Sequence, residues 1–146
     1  MRNSILPAIA FALLASTAAS VELRDDLPFI EGRYATPTDC KFLQAFEAKG
    51  EGRSLNNSAW HLTSTGFTDG WEQSCSFHAV FIRGKTATAQ SICVAGAETV
   101  LKSYLLELQD APKEHPDIYV YEEAGAVGAD PQGTQYSWCP PGKPAE

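Results

Sequence analysis

The chain has 146 residues, 44% of them hydrophobic and 20% charged, a balance that excludes disorder, collagen, a coiled coil and a polytopic membrane protein and fits one globular domain. With 11 Lys and Arg against 18 Asp and Glu, the formal charge is −7. Such a chain can hardly assemble the basic patch that nucleic acid or an anionic membrane requires, so neither is expected as a partner.

Residues 1–20 carry one positive charge at Arg2, an apolar core from Ile5 to Ala15 and small residues from Thr17 to Ser20. This is the layout of a secretory signal peptide, too short and wrongly flanked for a membrane span. Cleavage is expected after Ala19 or Ser20. Arg2 leaves with the leader, and residues 21–146 then form a single β domain holding 10 Lys and Arg against 18 Asp and Glu, near −8. No Cys follows the apolar run at Leu13 to Ser16, so lipidation has no acceptor and no membrane anchor is expected. The expected address is periplasmic or secreted.

Glu31 to Ala35 reads as a first strand, after the Pro-bearing segment Asp26–Pro28. Residues 37–50 are the one convincing helix: Thr38 or Asp39 caps the start, Phe42 and Phe46 stack at i, i+4, and Gly50 can take the left-handed position past the end. The polar run Glu51 to Ser58 is loop, and Ala59 to Ser64 alternates Trp60 and Leu62 against His61 and Thr63 as a half-buried strand. Residues 74–94 form a hairpin broken at Arg83, Gly84 and Lys85. Ala95 to Ala97 turn the chain again, and Glu98 to Leu108 is a strand on its Val and Tyr content, although a helix is possible there. Asp117 to Glu122 and Gln135 to Cys139 continue the sheet before Pro140 and Pro141 stop it, and the tail to Glu146 is expected to fray. Six or seven short strands at this spacing predict a mainly β fold, an antiparallel meander forming a small barrel or a two-layer sandwich, with one short N-terminal helix.

All four cysteines lie in the exported part, where an even count reads as disulfides. No pair has the close spacing of a zinc site and the three histidines are scattered, so no metal is expected. Centring the hairpin turn on Gly84 sets Cys75 opposite Cys93, Phe77 opposite Ser91, Ala79 opposite Ala89 and Phe81 opposite Ala87. A directly opposed pair brings the Cα atoms within disulfide reach. Cys40 and Cys139 then pair by elimination.

Gly32, Arg33 and Tyr34 leading to Cys40, Leu62 and Thr63 leading to the stretch Gly70–Phe77, then Cys93, and Tyr136 to Cys139 at the end, form an ordered set of short motifs. In these the chain resembles small exported four-Cys β-domain proteins of Gram-negative bacteria, a group without established activity. The resemblance implies export and a compact β domain, and carries over no catalytic residue.

No nucleophile elbow, zinc-protease, phosphate-loop or dinucleotide pattern occurs, so no cofactor is expected and an enzyme is the weakest reading. His78 stands on the strand face opposite Cys75, with Val80 and Ile82, and reads as an ordinary sheet histidine before a general base. Asp69, Glu72, Glu98, Glu107, Glu122, Glu123 and Asp130 read as a solvated acidic surface before an acid–base pair. Two loops stand out. The turn Thr68–Gln73 carries Trp71 between Asp69 and Glu72, and Trp71 either caps the core or stays exposed as a binding anchor. The stretch Ala124–Gly133 holds three glycines and a proline, the composition of a spacer or of a recognition loop. The leading expectation is a periplasmic interaction module that contacts a basic protein partner, in the manner of an inhibitor, through Trp71, Asp69 and Glu72. The alternative is a small-ligand carrier, which needs an internal cavity of roughly 300 Å³ or more.

Overall fold

The computed structural model describes residues 23–49, 59–70, 72–109, 113–122 and 133–143. In chain order these hold β1 (Leu23–Arg24), β2 (Tyr34–Ala35), α1 (Pro37–Ala48), β3 (His61–Thr63), β4 (Gly66–Thr68), β5 (Gln73–Arg83), β6 (Thr86–Ala95), β7 (Glu98–Leu108), β8 (Ile118–Glu122) and β9 (Thr134–Trp138). Strands β5, β4, β3, β2, β9, β8, β7 and β6 pair in that order, each antiparallel to the next, and β6 returns to β5. The fold is therefore mainly β, an eight-stranded antiparallel closed barrel with one short helix. Closure gives every one of these strands a neighbour on both sides over part of its length, and β1 covers a part of β5 that β4 does not reach, opposite Val80 and Phe81. Neither β1 nor β4 was expected from the sequence, because Leu23–Arg24 and Gly66–Thr68 are short and stand in no longer alternating run of the kind that marks Ala59 to Ser64.

The β5–β6 hairpin is the longest piece of the wall. Its turn is two residues long, Gly84–Lys85 between the paired Arg83 and Thr86, and the positive φ at Gly84 alone has the sign pattern of a type II′ turn. A two-residue turn in an unbroken ladder would set Cys75 against Val94. A β-bulge at His78 supplies one extra residue, so Cys75 faces Cys93 and Phe77 faces Ser91. Below the bulge the expected register is corrected. Val80 faces Ala89 and Ile82 faces Ala87, while Phe81 points outward, 40% exposed. Val80 and Ile82 consequently share the inner face with Cys75 and do not lie opposite it beside His78.

Small side chains on β6 lie between large ones on its neighbours. Ser91 meets Phe77, Ala89 meets Val80 and Tyr104, and Ala87 meets Ile82 and Leu106. An eight-stranded barrel is narrow enough for side chains to fill, and alternating bulk in this way fills it along this part of β6. Leu27 and Ile30, between β1 and β2, close the end below Val80, with the Leu27 amide donating to the Ser64 carbonyl at 2.7 Å.

The cap of helix α1 lies two or three residues before the expected Thr38 or Asp39. Thr36 is the N-cap: its hydroxyl accepts from the Asp39 amide at 3.2 Å and donates to the Asp39 carboxylate at 2.7 Å, and Pro37 fits the first turn because it has no amide to satisfy. The helix buries Leu43, not the Phe42 and Phe46 pair, and Phe42 is exposed. Leu43 packs with Ala35, Ala59 and the Cys40–Cys139 bridge on the outside of β2. Of the tail, Pro140–Gly142 is held, and residues 144–146 lie outside the described residues. Arg33 donates to the carbonyls of Cys139 and Pro140 and to Glu47, and the Gly142 amide donates to Glu47 at 2.7 Å.

Candidate functional site

One end of the barrel holds a cavity of about 380 Å³. The described turn residues at this end are Asp69, Gly70 and Glu72 between β4 and β5 and Gly96–Ala97 between β6 and β7, while Glu122 and Thr134, the flanking ends of β8 and β9, line the cavity. Inward residues alternate along each strand, so β7 sends Glu98, Val100, Lys102 and Tyr104 into the cavity in four successive steps from rim to floor.

The floor is aromatic and sulfur-bearing. Phe67 sits at its centre, with the Tyr104 ring 4.7 Å away, Tyr136 and Phe77 edge-on at 5.8 Å, and Trp60 stacked at 6.0 Å. The Cys75–Cys93 disulfide completes it. Tyr104 donates its hydroxyl to the Cys75 sulfur at 3.4 Å and lies 3.7 Å from that of Cys93. Burial, then the negative charge of Glu122, pushes the Tyr104 phenol well above its usual range, and burial followed by the charges of Asp39 and Glu122 pushes Tyr136 up to about 12. Both stay neutral over the physiological range, so the floor offers ring faces instead of charge.

The wall above carries three charges. Lys102 donates to Glu122 at 2.6 Å, and Glu122 faces Tyr104 directly across the β7–β8 ladder. Glu98, at the rim, makes no ion pair or hydrogen bond among the described residues. Among the described residues the cavity wall therefore has a net charge of −1.

Of the contact residues expected from the sequence, Asp69 and Glu72 stand in the turn beside Gln73, which lines the cavity. Asp69 shapes that turn, its carboxylate accepting from the Gln73 amide at 3.0 Å, and Glu72 is exposed. Trp71 lies outside the described residues, as do Glu123, Asp130, most of the glycine-rich stretch and the leader. Both bridges, Cys75–Cys93 and Cys40–Cys139, are formed. His78 stands exposed at the bulge and Glu107 outside the barrel, bonded to Tyr121, so neither joins the cavity. Among the described residues no His, Cys, Asp and Glu side chains group as metal ligands. No described helix is long and apolar enough to cross a membrane. Sequence reasoning did not single out Lys102. The signal was present: a lysine in phase with Val100, Tyr104 and Leu106 puts a charge on the apolar face of a strand.

No family model, curated protein or solved structure matches the chain.

Proposed function

We propose that the protein is an exported small-ligand carrier that holds a compact amphipathic molecule in the mouth of the barrel. The observation that carries this reading is the 380 Å³ cavity, within the range of small-molecule sites, with an aromatic and sulfur floor and a few charged groups on the wall. The ligand's apolar body lies on Phe67, Tyr104 and Tyr136 while its polar end stays near Lys102 and Glu122. Two disulfides fit an oxidising compartment, as does the leader-like segment. An intact mass beginning at Ser20 or Val21 is expected for the exported protein, and retention of Met1 would refute export.

A neutral naphthyl fluorophore tests the carrier reading. It should bind saturably and brighten on binding, and Val100→Trp should abolish this, because Val100 is 47% exposed on the cavity wall and a larger ring there fills the mouth without disturbing the buried core. A probe that fails to bind, or binds the variant equally, removes the cavity as its site. The exposed Glu72 beside the same mouth keeps capture of a basic protein as the second reading. Trp71→Ala separates the two, since it should abolish partner capture and leave probe binding intact only if that turn is a protein contact.

A further inference from the structure

The ligand's charge can be read from the way the cavity treats its own lysine, and this step rests on the carrier reading above. The wall holds two carboxylates and one ammonium, and the turn residues beside it, Asp69 and Glu72, are also acidic. An anionic ligand would have to take Lys102 away from Glu122 and leave that carboxylate bare in the cavity wall. A cation meets Glu98 at the rim, whose side chain has no partner among the described residues, and Glu122 further in. The floor favours the same sign. Glu122 lines the same cavity as the Tyr104 and Tyr136 rings and stands opposite Tyr104 across the β7–β8 ladder, and ring faces attract cations through their quadrupole. The Lys102 ammonium already holds the Glu122 carboxylate, at 2.6 Å.

We infer that the barrel mouth binds an organic ammonium ion with an aromatic or branched apolar body, and that Lys102 is the internal stand-in which such a ligand displaces from Glu122. The ligand's ammonium takes the Glu122 carboxylate, its body lies on Phe67, Tyr104 and Tyr136, and Glu98 adds attraction at the rim. Lys102 thereby weakens binding of the ligand it resembles.

Three compounds of one skeleton, 4-phenylbutylammonium, 4-phenylbutanol and 4-phenylbutanoate, are titrated into the oxidised protein by calorimetry. The cation should bind at least tenfold more tightly than the alcohol, and the carboxylate most weakly. Glu122→Gln should reduce the cation to the level of the alcohol, and Lys102→Met should tighten the cation severalfold, because it removes the competitor. Both residues are partly exposed, so the variants should fold. Tightest binding by the carboxylate, with loss in Lys102→Met, would reverse the sign and overturn the inference. Equal binding of all three overturns it as well, while leaving the carrier reading in place if the naphthyl probe binds. Failure of both the series and the probe removes the two together.

Discussion

Tyr136 shows at the scale of one residue how burial and neighbouring charge fix a protonation state. Its phenol is raised from 10.0 to about 12 in the folded chain, chiefly because burial penalises the phenolate, and the charges of Asp39 and Glu122 add to this. The unfolded chain sheds this proton first, so the stability that the neutral phenol contributes is complete below pH 10 and disappears as pH rises from 10 to 12. Two units correspond to on the order of 2–3 kcal/mol. Alkaline unfolding followed by tyrosinate absorbance should therefore begin above pH 10, and Tyr136→Phe should shift its midpoint upward. A variant that unfolds at the parent's midpoint would show that Tyr136 ionises freely in the fold.

The β5–β6 hairpin shows at the scale of an element how two local features fix one bridge. The two-residue turn alone would misalign the cysteines by one position, and the extra residue at His78 restores them. Deleting His78 should leave the turn and every cross-strand partner in place, including Cys75 with Cys93, and remove only the local bend, costing about 1–2 kcal/mol as a typical point change does. Peptide mapping of the deletion variant should recover the Cys75–Cys93 peptide, and its loss would show that the bulge residue itself positions the sulfur. The neighbouring β4 depends on a different local feature. A Cβ at Gly66 would run into the backbone carbonyl of Cys75, and φ there is +147°, so no other residue fits where β4 crosses β5.

At the scale of the whole molecule the two bridges do different work. Cys40–Cys139 spans 99 positions and ties α1 to the end of the last strand, whereas Cys75–Cys93 spans 18 within one hairpin. In the chain-entropy picture the long loop stabilises by roughly 4.7 kcal/mol and the short one by roughly 3. Urea unfolding of the Cys40→Ala/Cys139→Ala pair should accordingly show a lower midpoint than that of Cys75→Ala/Cys93→Ala. The reverse order would mean that packing at the cavity floor outweighs loop entropy.

The division between sequence and tertiary structure follows the range of the forces involved. Alternation at Trp60 and Leu62, the Val- and Tyr-rich run from Glu98 to Leu108 and the glycine turn at Gly84 are encoded within a few residues, so the β class, the helix and the longer strands were legible from the chain alone, although the cap at Thr36 was not. The cysteine pairing was legible too, although the assumed turn centre stood in for a bulge the pattern does not announce. Closure into a barrel was decided by β5 pairing with both β4 and β6, a condition on strand tilt and stagger around the whole ring. The cavity followed from that closure. Glu98, Lys102 and Glu122 read along the chain as scattered surface charges, and only the ring of strands, by turning alternate residues inward at one open end, sets them on one cavity wall between the rim and the aromatic floor.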